Sequence, residues 1–274
     1  MSRRDRSVTS PPWPVAVPAG LALLFLGLPI LALVARAPWD RMWSVLTSET
    51  SLQALRLSLE TASAATVIAF LVGVPMAWVL ARADFPGRRL ARALVTVPLV
   101  LPPVVGGIAL LLAFGRRGLV GQYLDSCCGI TLPFTTPGVV VAEAFVAMPF
   151  LVITVEGALR SLDTKLEDAA ATLGATRLAV LRRVTLPMIL PSLAAGAVLT
   201  FARALGEFGA TIMFAGNVEG HTQTLPLVVY SEFQAGNLDT SVAAASILVL
   251  AAFGVLVAVR LLHWGRILDV RSVA

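Results

Sequence analysis

Apolar residues run through this chain in blocks too long to be the buried face of a water-soluble helix. The first block, about residues 15–35, carries enough consecutive apolar positions to cross a hydrocarbon core of about 30 Å at about 1.5 Å per residue. Comparable blocks follow at about 57–81, 90–114, 138–159, 192–215 and 242–263. The pattern predicts an all-α, polytopic membrane protein with six transmembrane helices, built as a single domain over 15–263 between polar tails at 1–14 and 264–274. An arginine-bearing start followed by an apolar run also fits a secretory leader. This run is long for a leader core and is followed by further spans, so we expect it to be the first helix.

The polar interruptions set the orientation. Arg82, Arg88, Arg89 and Arg92 lie in one interruption, and Arg160, Lys165, Arg177, Arg182 and Arg183 in another. With the tails on the same side as these two loops, the face they share holds most of the Lys and Arg, which predicts both termini in the cytoplasm. Arg36, Arg41, Arg56, Arg116 and Arg117 then fall outside, and Arg203 within a span. The loop 160–191 is neither Gly/Ser-rich nor a simple run of charge. Glu167 to Leu173 are mostly helix formers, Gly174 stands where a left-handed cap would end a short helix, and Pro187 and Pro191 return the chain to the membrane. Small alanines on a capped helix leave a shallow surface on which another protein can sit.

Composition agrees: 57% hydrophobic, 14% charged and a mean hydropathy of +0.86, values foreign to a soluble domain of this length. A net charge of +5 raises nucleic acid as a partner, but the basic residues sit mainly between apolar segments, and topology accounts for them. Cys127 and Cys128 are neighbours that we expect to be small loop residues, and with two histidines the chain offers no metal-ligand spacing. The sole lysine, Lys165, has no glycine cradle around it, so no phosphate-binding loop is present and the chain is expected to hold no cofactor. An integral membrane enzyme would need a constellation near the bilayer. His221 and His263 lie in an outer loop and at a span's end, and Glu60 is isolated in one span while Glu143 and Glu156 stand well apart in another.

Two spans carry more than hydrophobicity. Pro98, Pro102, Pro103, Gly106 and Gly107 predict a bent helix in the third, either beside a pathway or shaped by packing alone. In the fifth, at about 100 degrees per residue, Gly196, Thr200, Arg203, Glu207 and Thr211 share one face. Arg203 and Glu207 are one turn apart and able to pair, either as an ion pair that fixes packing or as part of a translocation path or gate with Thr200 and Thr211. Because Glu207 offsets Arg203, a tight permanent anion site is not expected there. Beyond the fifth span, residues 216–240 are long enough to fold into an external lip.

The spacing Asp168-Ala169-Ala170, three residues, Gly174, nine residues, then Val184-Thr185-Leu186-Pro187 resembles the signature of permease subunits of binding-protein-dependent ABC importers, with Asp168 where that family has Glu and Val184 where it has Ile. The stretch Phe201 to Asn217 and the run Thr222-Gln223-Thr224-Leu225-Pro226-Leu227 resemble the oxyanion permeases, the molybdate branch more than the sulfate branch. The resemblance implies the type I importer permease fold in a bacterial or archaeal plasma membrane. It implies a coupling helix formed with Glu167, Asp168, Ala169, Ala170, Gly174, Leu186 and Pro187, docked on a separate ATPase subunit that uses ATP and Mg. It also implies a homodimer of the permease, with an external binding protein delivering molybdate. A sulfate, thiosulfate or tungstate permease is the alternative. Arg177, Arg182 and Arg183 are expected to anchor the loop to anionic lipid or the ATPase.

Overall fold

Helix α8, Thr136–Ser161, stands at the centre of the molecule. Its start is specified locally. The Thr135 hydroxyl accepts the Gly138 N–H at 3.2 Å, and Pro137 occupies the first turn, where its missing N–H costs nothing. A helix apolar on every side is stable only when surrounded, and α8 packs against helices from both halves of the chain. The computed structural model describes residues 13–271, and among these the fold is entirely helical. Residues 1–12 and 272–274, which include most of the N-terminal tail and the end of the C-terminal one, lie outside the described residues.

In chain order the elements are α1 (Trp13–Arg36), α2 (Met42–Leu46), α3 (Glu49–Ile68), a π-helical turn (Ala69–Gly73), α4 (Val74–Arg82), α5 (Arg88–Val100), α6 (Pro103–Phe114), α7 (Gly121–Cys128) and α8. Then come α9 (Lys165–Thr172), α10 (Arg177–Val180), a second π turn (Leu181–Thr185), α11 (Leu186–Leu205), α12 (Gly209–Phe214), α13 (Leu225–Gln234) and α14 (Leu238–Arg271). Both π turns immediately precede a helix with proline in its first turn, Pro75 and Pro187. A proline inside a continuous helix collides with the carbonyl four residues earlier and donates nothing to it; widening the preceding turn absorbs the misfit without breaking the rod.

Among the described residues five helical stretches are long and apolar enough to cross a membrane: Trp13–Arg36, Glu49–Arg82, Thr136–Ser161, Arg177–Leu205 and Leu238–Val255. The segment expected as a single span over 90–114 is instead two helices, α5 and the shorter apolar α6. Leu101 and Pro102 are extended between them (ψ 132° for each), because each precedes a proline and is steered away from helical backbone. The fifth span likewise does not continue to 215. α11 stops at Leu205, and α12 starts afresh at Gly209. The two short helices α6 and α12 pack at backbone contact: a Cβ on Gly107 would lie 2.6 Å from Cβ of Met213, and one on Gly209 would lie 2.7 Å from Cβ of Pro103.

Residues 216–240, expected to fold as an external lip, form more than a loop. α13 buries Leu225, Pro226, Leu227 and Val228 against α3 and α14, and the Leu225 N–H donates to the Ser58 hydroxyl at 2.8 Å. α1, by contrast, buries none of its residues within the subunit.

Candidate functional site

The loop between α8 and α11 folds as its residues dictate. α9 ends in a reciprocal pair of bonds: the Gly174 N–H donates to the Ala171 carbonyl at 2.9 Å, and the Ala175 N–H to the Ala170 carbonyl at 3.1 Å. That closure needs a left-handed residue, and Gly174 supplies it at φ +86°. Thr176 then caps α10 by accepting the Ala179 N–H at 3.3 Å. Asp168, Ala169 and Pro187 are exposed; Ala170 and Leu186 are half-buried. Leu173, unremarked by the motif, is 90% exposed, with Leu166 and Leu178 also half or more exposed.

Glu167 takes a different direction from Asp168. Its Oε1 accepts from Arg82 Nη2 at 3.1 Å and from the Thr185 hydroxyl at 2.7 Å. One carboxylate thus ties α9 to the end of α4 and to the turn that leads into α11. These partners lie far from Glu167 in sequence, and only the fold brings Arg82 to it. Acidic side chains in the first turn of α9 also face the positive end of its dipole.

Around α8 the scattered carboxylates acquire partners. Glu156 accepts from Arg92 Nε at 2.8 Å and lies 3.8 Å from Arg160 Nη1, while Glu143 accepts from the Thr61 hydroxyl at 3.0 Å. Glu60 pairs with Arg56 at 2.7 Å on an exposed face. Cys127 and Cys128 close α7 as free, exposed thiols.

The polar residues expected to share one face of the fifth span are mostly buried within the subunit. Thr200 and Thr211 are fully buried, and Glu207 is 1% exposed. Arg203 lies nearest the surface, its side chain 28% exposed, with Nη2 2.6 Å from Glu207 Oε2. The other oxygen of Glu207 accepts the Ala210 N–H at 2.7 Å. That bond explains the helix break: the Glu207 side chain caps α12, which the regular 100-degree stripe did not foresee. No metal-holding group of His, Cys, Asp or Glu occurs among the described residues.

Several known proteins resemble this arrangement. The family described as "Binding-protein-dependent transport system inner membrane component" matches residues 69–264. The molybdenum transport system permease protein of Mycobacterium tuberculosis is 50% identical over 242 residues, 88% of this chain and 90% of that protein. The sulfate transport system permease protein of Salmonella typhimurium is 38% identical over 251 residues, 89% of this chain and 90% of that one. A bacterial ABC transporter involved in the import of the acidic polysaccharide alginate superposes with a TM-score of 0.74 at 20% identity, covering 93% of this chain and 94% of that chain. The match over residues 69–264, with relatives aligned along nearly their whole length, places the chain in the family of binding-protein-dependent transport system inner membrane components.

Proposed function

We propose that two copies of this chain form the membrane path of an ATP-driven importer that takes molybdate from an external binding protein and releases it to the cytoplasm. The chain is a multi-pass permease subunit, not an enzyme, as its family and relatives are. The proposed orientation has six spans and both termini inside, with α5 and α6 together serving as one span. ATP and its Mg belong to a separate ATPase subunit docked on α9.

The observation that carries this reading is the coupling helix itself. It stands clear of the bundle, is capped at Gly174, presents exposed leucines at one end of the molecule, and is braced from behind by Arg82 and Thr185. Apolar side chains gathered at one exposed loop mark a contact surface. Rotation of the docked helix then pulls on α4 and α11 through Glu167. Near the end of α11, Arg203 faces the path and Glu207, in the break before α12, holds it, with Thr200 on α11 and Thr211 on α12 packed behind as parts of the gate. An anion passing such a site is attracted but not trapped, because release requires weak binding.

Uptake of labelled molybdate into vesicles containing this chain, its ATPase and its binding protein tests the proposal. Tungstate is expected to compete, and excess sulfate to leave uptake nearly unchanged. Equal competition by sulfate moves the substrate to the alternative supported by the 38% identical sulfate permease; no uptake of any oxyanion overturns the oxyanion reading. In the same assay Glu167→Ala is expected to lower uptake at least about tenfold, since it removes two hydrogen bonds to a charged group, with the ATPase still bound. Asp168→Asn, which leaves the Arg82 and Thr185 contacts intact, is expected to weaken ATPase binding instead. Full uptake by Glu167→Ala removes the strut from the mechanism.

A further inference from the structure

The hairpin joining α4 to α5 holds two recesses that meet at Phe85. One, of about 470 Å³, is basic: Arg88, Arg89, Arg92 and Arg160 line it, with Asp84 as the acidic member. The other, of about 630 Å³, is apolar and runs between α4 and α5 over α8, with Met76, Val79, Leu94 and Pro149 among its walls. The importer mechanism uses neither.

The arginines are not equivalent. Arg88 is held by Asp84 at 2.9 Å and by the carbonyls of Leu80 and Ala81 at 2.8 and 3.1 Å, and Arg92 is spent on Glu156. Arg160 only approaches Glu156, at 3.8 Å, with its side chain 56% exposed. Arg89 is exposed and enters no ion pair among the described residues. Four guanidinium groups therefore face two carboxylates, and the surplus positive charge belongs to the two that remain accessible. A guanidinium fork suits a phosphate, and a basic cleft at the rim of an apolar groove suits a molecule that is anionic at one end and hydrocarbon along the rest. A free oxyanion would use the first recess and leave the second bare.

We propose that this double recess binds one anionic phospholipid of the cytoplasmic leaflet, its phosphate on Arg89 and Arg160 and an acyl chain in the groove between α4 and α5. The site rests on the membrane orientation proposed above. A lipid seated there braces α4, the helix whose last residue, Arg82, holds Glu167.

The test uses the complete transporter, with ATPase and binding protein, purified from mixed phosphatidylglycerol and phosphatidylcholine, with retained lipid counted by native mass spectrometry. The wild type is expected to retain phosphatidylglycerol over phosphatidylcholine by on the order of tenfold, the effect of two accessible arginines at an anionic headgroup. Arg89→Ala with Arg160→Ala is expected to bring the ratio near parity, and Leu94→Trp to reduce retention of both lipids by filling the groove. Parity in the wild type, an unchanged ratio in the double variant, or unchanged retention in Leu94→Trp overturns the site. Loss of the bound lipid on adding millimolar phosphate assigns the arginines to a free anion and overturns it too. Molybdate uptake is measured on the same wild-type preparation, so a complex that transports but shows no lipid preference sinks this inference alone.

Discussion

Leu173→Asp is expected to weaken docking of the ATPase by at least about 100-fold and to abolish ATP-driven uptake, while the permease folds and inserts as before. Leu173 is 90% exposed, so its replacement removes almost nothing from the subunit's own packing. Asp leaves the backbone closure at Gly174 and Ala175 in place, because those bonds involve only main-chain groups. On docking, the loss is twofold. Burial of a leucine side chain stabilises an interface by about 1.5–3 kcal/mol, and an unpaired carboxylate in its place adds a desolvation penalty of several kcal/mol. Even the lower sum exceeds about 2.8 kcal/mol, which is 100-fold in affinity. Co-purification of the ATPase and stimulated ATP hydrolysis read the effect, the thermal midpoint of the solubilised permease controls for folding, and Leu173→Met is expected to behave as the wild type. A Leu173→Asp protein that binds the ATPase normally would place the docking surface elsewhere on the loop.

What the sequence made legible here is what is local. The short helix, its glycine closure and the proline return to the membrane are each written within a few residues of 166–191, and the structure places α9 at Lys165–Thr172 with Gly174 left-handed. The inward turn of Glu167 is not written there, since Arg82 reaches it only when α4 and the loop are brought together. The same limit explains α11. Its polar face is periodic as far as Leu205, but one side-chain bond, from the Ala210 N–H to Glu207, competes with helix continuation and restarts the chain as α12. The third span's bend was visible in its prolines, although not that two consecutive pre-proline residues would separate it into two rods.

Hydropathy was blindest to burial. α1 and α8 are comparably apolar, yet α1 buries none of its residues within the subunit while α8 buries most of its apolar stretch. Lipid tails are as apolar as leucine, so a bilayer does not sort helices by hydrophobicity; close approach through small residues does. α8 buries Ala142, Ala144 and Ala147 against partners, while α1 presents Leu23, Phe25 and Leu31 outward.

Arg203→Met is the second large effect we expect, and it separates packing from transport at the proposed gate. Removing the guanidinium leaves Glu207, 1% exposed, with the Ala210 N–H as its remaining hydrogen-bond partner among the described residues. Breaking one side of a buried pair costs about 3–5 kcal/mol, because the surviving charge stays desolvated. The expected reading is a large fall in membrane-inserted protein and in the thermal midpoint of what can be solubilised. Glu207→Gln added to Arg203→Met removes the stranded charge while its amide oxygen still accepts from Ala210, so most of the stability is expected to return. A single variant as stable as the wild type would show that Glu207 does not depend on Arg203. In the repaired double variant, uptake then distinguishes the two roles: recovery of uptake with stability makes the pair a packing device, whereas a folded, ATPase-coupled complex that passes no molybdate assigns the missing positive charge to the anion's path.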